Sequence, residues 1–360
     1  MKSWSGFYAV ICICVCALSA QTARAQSVPT DLLDVSLEAL LSAPVIDDGD
    51  RHGEEGEKWH LSYSFQLSHH EGYYQDSDKL DSSALLWNPK EGPRGSEEFL
   101  AITPEITQDV HALSLGYELD GSNTLTAIVP WIHQTTEHKT IIPGFTEFSI
   151  DTKNLGDINL LWDRVFHRSL DSHWLSTLGI SMPTGSIDET GPTPQGPGSA
   201  VPYTMQTGSG TWDIPFSLTY VKQGGGYRWG LGGKGLYRVG ENDNGYTLGN
   251  RLGGSLWALM TDLQHVEPGL KLNWEWQDRI DGADRHLPRP DSEGRYPTPV
   301  VDPSRYGGHR IDLGVFARVF FDARRRYHGD LEFSKPIYQD LNGPQVATRY
   351  RLGIRLGMEF

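Results

Sequence analysis

The sequence predicts an all-β fold, an antiparallel transmembrane β-barrel of the bacterial outer membrane with about 12 strands and a short N-terminal periplasmic helix. Three observations predict it. Apolar and polar residues alternate over strand-length runs, connections alternate between short and long, and an export leader at one end is matched by an aromatic residue at the other. Only 38% of residues are hydrophobic, while 11 Trp, 15 Tyr and 12 Phe supply many rings. Past residue 25 no apolar run approaches the ~18–20 residues that a membrane-spanning helix needs. A closed sheet escapes that requirement. All its backbone groups are paired and only one face meets lipid, so half its residues can be polar.

The leader comes first. Lys2 supplies a positive charge, residues 7–18 an apolar core, and Ala23-Arg24-Ala25 the small-x-small pattern that a signal peptidase reads, leaving Gln26 as the new N-terminus. The resulting organisation is a signal peptide over 1–25, an N-terminal periplasmic segment over 26–57 and the barrel over 58–360. All three cysteines (Cys12, Cys14, Cys16) fall in the leader, so the exported chain forms no disulfide and presents no thiol for catalysis or metal.

Within 26–57, Leu33, Leu37, Leu40 and Leu41 share one helical face, with Thr30 or Asp31 as N-cap and Pro44 past the end. The stretch is similar to one near the mature start of TonB-dependent receptors, although no plug domain follows it. A docking helix for a periplasmic partner, a small lumen plug and a loosely held amphipathic leader are the readings it allows.

The barrel strands follow. Trp59, Leu61, Tyr63, Phe65 and Leu67 are apolar and the residues between them polar, which is period two. The pattern recurs from Leu125, Ile158, Trp174, Trp212, Leu270, Ile311 and Tyr350, and weaker strands fit at 100–118, 227–239, 248–260 and 328–337. Short turns are expected at 120–123, 169–172, 224–226, 261–265 and 323–326. Longer connections are expected at 71–99, 138–153, 184–208 and 281–307, with smaller ones at 241–247 and 339–345. Trp59, Trp131, Trp174, Trp212, Trp229 and Trp276 sit at strand ends, where an interfacial girdle belongs. Phe360 ends the last strand on an aromatic residue, the assembly signal that outer-membrane barrels present to the barrel-assembly machinery.

Charge excludes one class of partner. Residues 26–200 hold 28 Asp and Glu against 9 Lys and Arg, whereas 201–360 hold 18 against 20. No basic stripe with stacking aromatics exists, so nucleic acid is not expected.

Leu178 to Asp188 (LGISMPTGSID), Gly191-Pro-Thr-Pro194, Pro202 to Asp213 (PYTMQTGSGTWD), Leu155-Gly-Asp-Ile158 and Ile337 to Gln345 (IYQDLNGPQ) form a specific set. Together they resemble the bacterial outer-membrane transporter family named for the meta-pathway of phenol degradation, over roughly residues 58–360. The resemblance implies an outer-membrane location more than a chemistry. The proline-rich connection at 184–208 reads as a stiff loop that either folds over the mouth or stands clear of it.

Catalytic chemistry is thin. His60-Leu61-Ser62 matches the His-x-Ser spacing of an outer-membrane phospholipase, but Trp59, Leu61 and Tyr63 claim the lipid face and turn His60 and Ser62 inward, so no catalytic residue and no enzyme is expected. No cofactor is expected either. His69, His70, His133 and His138 are weak metal-ligand candidates, lacking a defined third ligand.

Parity places Arg228, Lys234, Arg238, Lys271, Glu275, Arg279, Arg310, Asp312, Arg318, Arg349, Arg351 and Arg355 in the lumen. They are expected to face a more acidic wall containing Asp157 and Asp163. Opposed charge suits either a solute channel or a salt-bridged, closed interior. The functional expectation is an outer-membrane channel or transporter for small solutes, aromatic or anionic. The alternative is a non-conducting barrel acting as a receptor, scaffold or metal-stress component. Outer-membrane lipid and lipopolysaccharide are the expected surroundings.

Overall fold

The computed structural model describes residues 58–360; the leader and the helix expected over 30–41 lie outside them. The strands are β1 (Trp59–Asp76), β2 (Asp78–Leu80), β3 (Ala101–Asp120), β4 (Asn123–Thr140), β5 (Glu147–Leu155), β6 (Ile158–Phe166) and β7 (Ser172–Met182). They continue as β8 (Thr190–Thr193), β9 (Gly196–Ala200), β10 (Trp212–Gly224), β11 (Tyr227–Val239), β12 (Tyr246–Thr247) and β13 (Arg251–Met260). The last are β14 (Val266–Gln277), β15 (Asp281–Gly282), β16 (Gly308–Phe320) and β17 (Tyr327–Glu359).

The main sheet runs β17-β16-β14-β13-β11-β10-β7-β6-β4-β3-β1, and β17 pairs back onto β1, so the sheet closes. β2 and β5 stand outside the ring, on β1 and β4 respectively. Antiparallel closure demands an even number of passes, and the 33-residue β17 supplies the missing one by doubling back. Its residues 328–341 pair with β16 and its residues 341–359 with β1. Gln339 and Thr348 exchange hydrogen bonds across the two arms, and the Glu359 N–H donates to the Arg326 carbonyl. Ten single strands and these two arms make twelve passes.

Alternation sorts the two faces. Leu113, Leu115, Leu160, Ile180, Leu218, Leu270 and Val315 point outward and exposed, while Ser68, Gln108, Asn159 and Lys271 point inward and buried. A charged side chain on the lipid face of such a barrel costs about 2–4 kcal/mol near mid-bilayer, so the parity of each strand is strongly enforced. At the short-turn end, Trp59 packs on Tyr117 at 4.7 Å between ring centres. Tyr220 lies between Trp174 (5.2 Å) and Trp229 (5.6 Å) on the same end. Trp131, Trp212 and Trp274 are exposed toward the opposite end.

Two connections differ from expectation. The segment 138–153 is not a loop, because β4 runs on to Thr140 and returns as β5, a hairpin that stands above the ring. The segment 339–345 is absorbed into the bend of β17. The remaining long connections, 77–100, 183–211, 240–250 and 278–307, gather over one mouth. They share an apolar core of Tyr73, Phe99, Ile106, Tyr203, Tyr246, Leu248, Val301, Tyr306 and Val346. Tyr203 makes edge-on contacts with Tyr246 (4.9 Å) and Tyr306 (5.7 Å).

Candidate functional site in the barrel interior and mouth

The interior of the later strands is filled by paired charges. Glu275 takes the Arg310 guanidinium in a short contact and has Arg251 and Arg351 each at 3.8 Å. Asp312 accepts from Arg310 at 2.9 Å and lies 3.6 Å from Arg351. Lys271 reaches Glu332 at 3.1 Å. Arg318 grips Asp330 through two nitrogens, at 2.7 and 2.9 Å. Arg228 (3.9 Å) and Arg325 (2.9 Å) converge on Glu267, and Arg238 pairs with Asp213. Bidentate and multiply paired guanidiniums are the geometry in which buried charge is tolerated.

Small residues make room for large neighbours here. A Cβ on Gly230 would lie 2.5 Å from the Trp257 ring, and one on Gly269 would lie 2.4 Å from the Phe316 ring. Trp257 and Phe316 then pack with Val221 and Leu259 inside the barrel. Beside Arg351, Arg355, Asp330 and Glu332, with Ser64 and Gln66 opposite, remains a cavity of about 60 Å³, room for a few waters.

Ten of the twelve expected lumen residues point inward, although Lys234 and Arg355 are only half-buried. Arg279 and Arg349 do not. β14 ends at Gln277, so Arg279 is an exposed loop residue. Arg349 falls at an irregularity: Tyr350 pairs with His69 but Thr348 with His70, so Arg349 is turned out toward Glu71 at 3.3 Å. Such a bulge reverses parity. Arg251, Glu267, Asp330 and Glu332 were missed, although continuing the alternation through their strands would have found the last three.

The opposing acidic wall does not form. The arginines are neutralised by carboxylates within the later half of the barrel, on a neighbouring strand as in Arg318–Asp330 or across an intervening strand as in Arg228–Glu267. Asp163 instead accepts from the Thr177 hydroxyl at 2.6 Å. Asp157 accepts from the Gly185 N–H (2.9 Å), the Ser209 N–H (2.8 Å) and the Ser209 hydroxyl (2.7 Å), tying both ends of connection 183–211 to the rim.

That connection enters the mouth. Val201, Tyr203, Thr204 and Met205 are buried. The Gln134 side chain donates to the Gln206 carbonyl (2.9 Å) and the Thr152 hydroxyl to the Met205 carbonyl (2.8 Å). The Tyr203 phenol accepts from the Asp284 N–H at 2.9 Å, and burial pushes its pKa up to about 12, so it stays neutral.

The four histidine candidates are scattered over both faces. His70 is buried inward with Nδ1 3.3 Å from the Thr348 hydroxyl, and His138 is buried against Thr103 and Thr136, stacked on Phe148 at 4.7 Å. His69 faces outward, 3.7 Å from Glu105. His133, also outward, lies between Asp109 and Asp151. Among the described residues no three His, Cys, Asp or Glu side chains converge as metal ligands. His60 sits half-exposed at the short-turn end, 4.0 Å from Glu359, and Ser62 stands opposite Ser114 and Gly357.

No family model matches the sequence, and no curated protein matches it. Among solved structures, an outer membrane channel from Pseudomonas putida F1 is similar with a TM-score of 0.55 and 15% identity, over 88% of this chain and 100% of that one. A Pseudomonas aeruginosa FadL homologue is matched more loosely, with a TM-score of 0.41 and 8% identity over 84% of this chain and 90% of that one. The KdgM porin is matched with a TM-score of 0.37 and 10% identity, over 82% and 97%. At such identity the likeness speaks to architecture: this chain has the closed antiparallel barrel fold of bacterial outer-membrane channels.

Proposed function

We propose that the chain is an outer-membrane channel for small solutes, in a state whose mouth is closed by connection 183–211. The observation that carries this reading is a charge-lined interior inside an apolar exterior, with a loop docked in the opening through a few hydrogen bonds to backbone carbonyls. The lumen holds more guanidinium and ammonium groups than carboxylates, which favours small anions, including aromatic acids, and agrees with the resemblance to the phenol meta-pathway transporters. Surrounding lipid and lipopolysaccharide, insertion by the barrel-assembly machinery through Phe360, and a periplasmic partner for residues 30–41 belong to the same reading. It is a non-catalytic one.

A second reading has its own support. The ion pairs satisfy one another and fill the middle of the barrel, as they would in a non-conducting receptor or scaffold. Planar-bilayer recording separates the two. Steady steps with anion preference, reduced or reversed in Arg351→Glu, support the channel. Silence across voltage and salt, from protein shown to be folded by heat-modifiable gel mobility, supports the scaffold.

A further inference from the structure

On the outer wall, at the mouth end of the lipid-facing belt, lies a chain of polar groups that the interior does not explain. Asp109 on β3 is 2% exposed although its strand parity is outward. Its Oδ2 is 3.2 Å from His111 Nε2, and its Oδ1 is 3.1 Å from His133 Nδ1. The other nitrogen of His133, Nε2, lies 2.7 Å from Asp151 on β5, which also accepts from the Thr135 hydroxyl at 3.0 Å. His111 Nδ1 meets the Tyr63 hydroxyl of β1 at 2.7 Å. Lys153 stands beside His133 in register, and Glu137 follows on the same face of β4, opposite Glu105. A neutral imidazole has one N–H. Only the protonated ring turns an N–H toward each carboxylate, in a hydrogen bond to Asp151 and an ion pair with Asp109.

The same three strands hold the mouth loop from inside. Asp109, His133 and Asp151 are each next in sequence to Gln108, Gln134 and Thr152, whose side chains point the opposite way. Gln108 donates to Gln134 (2.6 Å), which holds the Gln206 carbonyl, while Thr152 holds the Met205 carbonyl. Ile150 packs on Val201 and Met205. Among the described residues β5 pairs in the main sheet with β4 alone, so its attachment rests on one ladder, the loop and the outer clamp.

We propose that the Asp109–His133–Asp151 clamp is a proton-dependent latch: the protonated ring ties β5 to β3 and β4 and keeps connection 183–211 docked, and loss of that proton slackens β5 and frees the loop. The idea rests on the channel reading only for its consequence, a mouth that opens as pH rises. Asp109, and then Asp151, hold the His133 pKa up to about 9, so the share of rings without the proton grows steadily as pH rises toward that value.

The test uses Thr204, which is 1% exposed in the docked loop. Thr204→Cys, in a chain whose leader cysteines are replaced by Ser, is labelled with a maleimide in detergent micelles between about pH 6 and about pH 9. Rates are divided by those of the fully exposed Leu170→Cys, which removes the thiol's own pH dependence. In the parent the normalised rate should climb by up to about tenfold per pH unit as His133 loses its proton. In His133→Gln and in the milder Asp151→Asn it should be high and flat. A flat normalised rate in the parent, or the parent's curve preserved in both variants, would overturn the latch. Conductance on the same samples tests the other reading separately. Labelling that follows the latch without any current keeps the latch and sinks the channel.

Discussion

The inner walls of the two halves of the barrel are made of different chemistry. Along β1 to β7 the buried inward polar side chains are mostly hydroxyls and amides: Ser68, Gln108, Ser114, Gln134, Thr136, Asn159, Thr177 and Ser181. Along β10 to β17 the buried polar ones are mostly charged, among them Asp213, Arg228, Arg238, Arg251, Glu267, Lys271, Glu275, Arg310, Asp312, Arg318 and Arg351. The early half carries the acidic surplus in sequence, yet apart from Asp163 its acid lies in loops, on the outer wall or in rim contacts such as Asp157 rather than in an opposing lumen wall. Short neutral groups suit a surface that must hydrogen-bond a loop backbone. Long paired cations suit one that must fill a wide interior. Net charge per segment therefore says little about lumen charge, because parity decides which residues see the lumen.

Substitutions can break or sharpen that contrast. The largest effect is expected from Glu275→Leu, which leaves three guanidiniums without their shared carboxylate and should cost about 3–5 kcal/mol in denaturant unfolding. Gly230→Leu forces a side chain into the Trp257 ring and should cost about 1–3 kcal/mol or block assembly, read as loss of the heat-modifiable band. In the early half, Gln134→Leu removes the link between Gln108 and the Gln206 carbonyl. It should cost about 1–3 kcal/mol and speed proteolytic cutting within 183–211. Equal losses for Glu275→Leu and Gln134→Leu would erase the distinction between the halves. The smallest effect belongs to Lys139→Ala, whose partner Glu147 is exposed: below about 1 kcal/mol and fading with salt.

Most of the ring was legible because lipid on one side and packed polar groups on the other impose period two, as in Trp59 to Leu67. The β4–β5 extension was not. Above the apolar belt its outward residues are His133, Thr135, Glu137 and Lys139, so the alternation continues in geometry but leaves no hydropathy signal. Arg279 was misplaced because parity was carried past the end of β14, and Arg349 because a bulge is invisible to a counting rule. The charged interior was readable one residue at a time. Its pairing was not, since Glu332 meeting Lys271 depends on strand register. The clamp around His133 was seen only as a lone histidine, because its partners come from β3 and β5.

Where the barrel closes, the first and last described strands meet as ordinary neighbours: the Trp59 N–H donates to the Phe360 carbonyl, and the Phe360 N–H to the Trp59 carbonyl, each at 3.0 Å. Every other ring pairing among the described residues joins ring strands that follow one another along the backbone, with only elements outside the ring between some of them. The polypeptide is thus nearly a circle that has been cut once. Splicing residue 360 to residue 59 through a few glycines, and reopening the loop at Gly225, would give a circular permutant in which each ladder contact survives.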